Sequence, residues 1–214
     1  EAKLKKFFLG NPTGFKSPSA MKVGSIYVDV DEGSITKDTI IINKVEVAGP
    51  EITYEKRGKS DNFKSILNNV QKNVPKGETA KKEPDKEGPG KKLIINDFIV
   101  KNGKVNLSME VPGGVLGDQE IKADLPDIHL KDIGKKKGGA SAAEVAKEIF
   151  AALYGKIQSP AVMGALSDQL KKLSGVGMDE IGKAAKGAAG MVEGAGKDAG
   201  GVADKVKGLF QKKE

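Results

Sequence analysis

The chain has 214 residues, 38% of them hydrophobic and 30% charged, with a formal net charge of +7, 28 glycines, one histidine and neither cysteine nor tryptophan. Absence of cysteine excludes disulfides, thiolate metal sites and cysteine nucleophiles. No run reaches the roughly 18 apolar residues of a membrane-spanning helix and no signal-peptide pattern is visible; an opening at Glu1 reads as a processed or trimmed chain, leaving room for an upstream anchor or signal.

Residues 3–9 (KLKKFFL) read as a short strand ended by Gly10-Asn11-Pro12. After a Pro/Gly loop around Phe15, Lys22–Asp31 alternates, with Ile26, Val28 and Val30 on one face and Ser25, Tyr27, Asp29 and Asp31 on the other. Ile40–Tyr54 (IIINKVEVAGPEITY) is β-rich on both sides of Gly49-Pro50. Asp61-Asn62 then predicts an N-cap ahead of Phe63, Ile66, Leu67 and Val70 at helical spacing. Between 71 and 92 there is almost nothing apolar to bury, which predicts a flexible insertion.

Leu93–Leu107 (LIINDFIVKNGKVNL) repeats Ile40–Tyr54 position by position. Ile42 meets Ile95, Asn43 meets Asn96, Val45 meets Phe98, Val47 meets Val100, Ile52 meets Val105, and Gly49-Pro50 falls where Asn102-Gly103 stands. Each copy reads as two runs joined by a two-residue turn, a hairpin signature. A sheet-forming unit is therefore used twice. Val105, Leu107, Met109 and Val111 share a face, and Glu120–Lys131 supplies one or two more strands interrupted at Pro126.

After the polar loop 134–139, Ser141 and Glu144 form a capping box ahead of Val145, Ile149, Phe150 and Leu153. Ser159-Pro160 opens a second helix carrying Val162, Leu166, Leu170 and Leu173. In the tail, small and apolar residues recur at a spacing of about 3.5, but the interrupting glycines each cost roughly 0.8–1 kcal/mol against Ala. The tail is expected to be helical only against an apolar partner or a membrane, through Ile181, Val192, Val202, Val206, Leu209 and Phe210, and a low-complexity spacer otherwise.

No phosphate-binding loop, nucleophile elbow or H-E-x-x-H pattern occurs. Asp127 and His129 would share a strand face, yet one histidine without cysteines leaves a transition-metal site short of ligands. The residues point to no catalytic, metal or cofactor site, and 5% aromatics without a basic-aromatic strand motif point away from nucleic acid. Asn106-Leu107-Ser108 fits a glycosylation sequon but falls inside a predicted strand. What the strands do offer is apolar faces: Ile26, Val28, Val30, Val45, Val47, Val105, Leu107 and Met109 form a core beneath the helices or, in part, a groove for acyl chains.

Several motifs resemble the AsmA-like family of bacterial envelope proteins. They are the G-N-P-x-G-F turn at Gly10–Phe15, the strand at Gly24–Asp31, G-P-E-I-T-Y-E at Gly49–Glu55, the D-N-F helix start at Asp61–Val70, and LPDIHLKDIG at Leu125–Gly134. The resemblance spans roughly residues 3–160 and concerns structural motifs. It implies an inner-membrane anchor upstream, a periplasmic location, and a sheet related to the groove-forming sheets of lipid-transfer proteins.

The expectation is an α+β fold: a curved antiparallel sheet of about six to eight strands built from repeated hairpins. The sheet domain would span 1–133 with its insertion at 71–92, a packed helical pair 134–173, and the conditionally helical tail 174–214. The expected function is a non-enzymatic, periplasmic or extracellular envelope protein binding or organising lipid, with an anionic phospholipid or membrane surface as partner. The alternative is a self-assembling homo-oligomer joined through sheet edges and the Gly/Ala tail.

Overall fold

A computed structural model describes residues 1–72, 74, 90–111, 114–116 and 121–174. The strands are β1 (Ala2–Gly10), β2 (Ser19–Val30), β3 (Thr39–Ala48), β4 (Glu51–Arg57), β5 (Ser60–Asp61), β6 (Lys92–Lys101), β7 (Gly103–Val111), β8 (Gly114–Leu116), β9 (Lys122–Leu125) and β10 (Ile128–Ile133). The helices are α1 (Asn62–Lys72), α2 (Ala142–Ile157) and α3 (Pro160–Ser174). The fold is α+β, with one strongly curled sheet and three packed helices.

The duplicated segments are not hairpins. β3 does not pair with β4; both lie along the same edge of β2, in unbroken antiparallel register from Val28↔Val45 and Ser25↔Ala48 to Lys22↔Glu51 and Met21↔Ile52. Each repeat copy is one long strand with a break in it, and the two copies lie side by side in parallel. Their pairing register is the alignment of the repeat itself: Ile42↔Ile95, Val45↔Phe98, Val47↔Val100 and Ile52↔Val105. The sheet is therefore mixed rather than purely antiparallel, and the breaks divide it into ten segments where six to eight strands were expected. A parallel neighbour requires a crossover, which the chain makes through α1.

The reason lies in the residues at the break. Gly49 (φ 59°) and Asn102 (φ 55°) hold the left-handed conformation at equivalent positions of the two copies. That conformation suits a tight turn and a β-bulge alike, so it carried the hairpin expectation. Because both copies bulge together, the ladder survives the break: the Gly49 amide donates to the Lys101 carbonyl (2.8 Å) and the Lys104 amide to the Pro50 carbonyl (2.9 Å). Past the bulge, the buried set changes from odd to even positions, Val45 and Val47 giving way to Ile52 and Tyr54. The second copy mirrors this, with Phe98 and Val100 giving way to Val105 and Leu107.

Two other strands change at the same level: β1 at Lys6 (φ 58°), and β9–β10 at Pro126-Asp127, where Val100↔Ile128 and Gly103↔Leu125 keep one register. Bulges bend a strand and increase its twist. Aligned across the sheet, they form a crease that accounts for its curl.

All three helices pack on one face. Asp61 caps α1 by accepting from the Lys64 amide (2.7 Å), and Phe63 and Ile66 are buried. The capping box of α2 is complete: the Glu144 amide donates to Ser141 Oγ (3.2 Å) and the Ser141 amide to Glu144 Oε2 (2.8 Å). Val145, Leu153 and Ile157 of α2 and Val162, Leu166 and Leu170 of α3 complete the core. Most of the 71–92 insertion and the whole tail from 175, including Ile181, Val192, Val202, Val206, Leu209 and Phe210, lie outside the described residues.

Candidate functional site

The apolar sheet face is roofed unevenly. Of the eight positions expected to contact acyl chains, Val45, Val47, Val105, Leu107 and Met109 are buried in the core. Ile26, Val28 and Val30, all on β2, are half-buried. Cross-strand rows show how the cover ends. In one row Leu4, Ile26, Val47, Val100 and Ile128 are successive neighbours from β1 to β10. Val47, Val100 and Ile128 are buried, Ile26 is half-buried, and Leu4 is 51% exposed.

A small apolar cavity of about 50 Å³ marks where the roof meets the sheet. Sheet residues including Met21, Val47, Phe98 and Ile128 line it from below, and Ile149, Phe150 and Leu153 of α2 from above. Beyond α2, towards β1, the cover thins: Ile26, Val28 and Ile42 are half-buried against the core and Leu4 is exposed. Leu4 and Ile42 were not singled out from the sequence, because membership of this strip depends on cross-strand register and on where α2 stops.

The opposite face is polar. Tyr27, Glu46, Ile99 and His129 form one row, and Asp29, Lys44, Asp97 and Lys131 the next. Lys44 pairs with Glu46 at 3.0 Å, and this hydrogen bond, followed by the lysine charge, holds the Glu46 carboxyl below its ordinary value. His129 Nε2 lies 2.5 Å from Asp97 Oδ1, both side chains substantially exposed. Asp127 is occupied elsewhere, accepting from the Asn102 amide at 3.4 Å. Thus Asp97 of β6, with three strands between it and β10 in sequence order, partners the histidine, and no group of three metal-ligating side chains occurs among the described residues.

The densest polar network ties the motif residues together. Asn62 is fully buried and uses all its amide capacity: Nδ2 donates to the Thr53 carbonyl (2.7 Å) and Asn11 Oδ1 (2.8 Å), while Oδ1 accepts from the Glu55 and Phe63 amides (3.0 Å each). The buried Glu55 carboxylate accepts from the Lys16 and Ser17 amides at 2.7 and 2.8 Å, pinning the Asn11–Pro18 loop to the polar face. Asp61 Oδ2 accepts from Tyr154 Oη (2.9 Å), which fastens α2 to the start of α1, and Gln158 Nε2 donates to Tyr54 Oη (2.9 Å), which ties the end of α2 to β4. Each polar residue of this network holds a loop or helix in place, whereas Tyr27 and Asp29 line an open hollow on the polar face with Lys3, Lys44 and Glu46. Asn106 of the sequon sits within β7, with its Oδ1 buried and without a hydrogen-bond partner.

Among the described residues no helix is long and apolar enough to cross a membrane. A family model described as the AsmA family matches residues 1–184. No curated protein and no solved structure matches the chain.

Proposed function

Because the chain belongs to the AsmA family, which is associated with the bacterial envelope, we propose that it is a non-enzymatic, periplasmic envelope protein that binds or organises lipid. The observation that carries this reading is the apolar strip beside α2, where Ile26, Val28 and Ile42, half-buried, and Leu4, exposed, continue the rows of the buried core beyond its full cover. Such a strip burdens a free protein and suits a ligand supplying apolar surface without hydrogen bonds, as an acyl chain does. Burial of apolar area is worth roughly 25 cal/mol per Å². The cavity under α2 is too small for a chain, so the acyl group would lie along the strip, with Ile149 and Phe150 at its border.

Polymerisation through sheet edges is less well supported. Along β1 the free edge carries Lys3, Lys5 and Lys6, turns through a left-handed residue at Lys6 and shifts register at Leu9/Gly10, all of which discourage strand addition. Along β9, Gln169 of α3 does what a neighbouring strand would do: the Lys122 amide donates to Gln169 Oε1 (2.9 Å) and Gln169 Nε2 donates to the Lys122 carbonyl (2.6 Å).

Light scattering on a sizing column, combined with mass spectrometry of extracted lipid, tests the proposal. The expected result is a monomer with co-purified phospholipid, and loss of that lipid from an Ile26→Asp/Val28→Asp variant that keeps its circular dichroism spectrum. A lipid-free polymer, or lipid retained by the variant, would overturn it.

A further inference from the structure

Four large apolar side chains are conspicuously exposed among the described residues, and three of them gather at the β1–β2 edge: Leu4 (51%), Phe8 (56%) and Tyr27 (45%). The fourth, Ile35, lies beyond β2, after the short helical turn Glu32–Ser34. Lysines alternate with these side chains. Lys3, Lys5 and Phe8 sit opposite Tyr27, Ser25 and Lys22 on the polar face, and the left-handed Lys6 lies between them. Lys3 Nζ lies 4.6 Å from the centroid of the Tyr27 ring, so its charge is held over an aromatic face at the edge. An open trough of about 430 Å³ runs past Phe8 between Lys6 and Lys22.

Acids gather on the Lys3 side, where Glu1, Asp29 and Glu46 line an open hollow with Lys3, Tyr27 and Lys44, and thin out towards Phe8. Glu46 is engaged by Lys44, and among the described residues no carboxylate pairs with Lys5, Lys6 or Lys22. Glu51, beside Lys22 across the strands, is the single acid lining the trough.

We propose that the β1–β2 edge is a docking surface for an anionic phospholipid bilayer, met edge-on, with Leu4 from the apolar face and Phe8 from the polar face entering the headgroup boundary and Lys3, Lys5, Lys6 and Lys22 meeting lipid phosphates. The left-handed Lys6, the register shift at Leu9/Gly10 and the row of like charges make the edge a poor template for another copy's strand. The exposed apolar groups are separated by lysines, whereas a protein interface is a contiguous apolar patch. Lysine stems lie along apolar surface while their ammonium groups reach outward, the disposition an interface between hydrocarbon and headgroups rewards. Leu4 belongs both to this edge and to the acyl strip, so a docked protein would open its apolar strip onto the bilayer. The inference takes its choice of partner from the lipid reading, but does not require a lipid to occupy the strip.

Co-sedimentation of the whole chain with vesicles tests it, using phosphatidylcholine alone and phosphatidylcholine containing phosphatidylglycerol. Binding should require the anionic lipid and weaken with added salt, because exposed charges are screened beyond about 10 Å at 0.1 M ionic strength. Each lysine at an anionic surface contributes about fivefold in partitioning, so Lys3→Gln/Lys5→Gln/Lys6→Gln/Lys22→Gln should lose roughly 100-fold or more. A control at the other end of the molecule, Lys135→Gln/Lys136→Gln/Lys137→Gln, should lose far less. Since the chain has no tryptophan, Phe8→Trp gives a lone reporter whose emission should shift to the blue on anionic vesicles only. Equal losses from the two lysine sets, an unshifted emission, or tighter binding to a single-stranded oligonucleotide than to anionic vesicles would overturn the proposal. Phospholipid co-purifying with the four-lysine variant at the unmodified level would leave the strip standing whichever way the vesicle experiment falls, so the two readings fail separately.

Discussion

Tyr154 joins α2 to the cap of α1 through a single hydroxyl, and that hydroxyl is titratable. Burial first, then the hydrogen bond to Asp61 and its negative charge, push it up from 10.0 to about 12. Tyr54 moves in the same direction, from burial first and the Asp61 charge second. The folded chain keeps these protons where the unfolded chain has released them. Tyr154's contribution to stability is therefore whole below about pH 10 and is lost as pH rises through about 12. Urea midpoints should fall between about pH 9 and pH 11.5, and the fall should be shallower for Tyr154→Phe, which cannot titrate. Parallel profiles for the two proteins would refute the assignment.

The crease is an element-scale device, and two adjacent residues expose its mechanics. Asn102 tolerates the left-handed region; a β-branched residue there does not, so Asn102→Val should cost about 1–2 kcal/mol while Asn102→Gly stays near neutral. At Gly103 the constraint is space: an added Cβ would sit 2.9 Å from Leu125 Cδ2, 3.1 Å from Leu125 Cβ and 3.1 Å from Pro50 Cγ. Gly103→Ala should therefore cost about 1–3 kcal/mol through overpacking. Denaturant unfolding checks both, and a neutral Asn102→Val would mean that the bulge is not held as described.

At the scale of the whole molecule, the roofed and thinly covered parts of the sheet divide the labour. The helices bury the half nearer β10, and Gln169 closes part of that margin by copying a strand's hydrogen bonds. Gln169→Ala would leave the Lys122 amide and carbonyl without these partners, at a cost of about 1–3 kcal/mol. It should also raise self-association at high protein concentration, read by light scattering. Unchanged stability and unchanged mass would show that α3 covers the edge without this contact.

Much of this was legible in the residues because its causes are local. Alternation placed the strands, Ser141 with Glu144 placed α2, Pro160 opened α3, and the repeat announced a duplicated unit. Even the register of the two copies was written in their alignment, although its meaning was not. A left-handed residue after an alternating run serves a reversal or a bulge equally well. Choosing between them required β2, whose Ser25 and Lys22 bridge the break from Ala48 to Glu51 and hold the chain straight. The site divided in the same way. Apolar faces were visible as alternation, whereas which of their residues stay partly open depends on where α2 ends over neighbouring strands, a non-local fact that placed Val47 in the core and left Ile26 beside it at the margin.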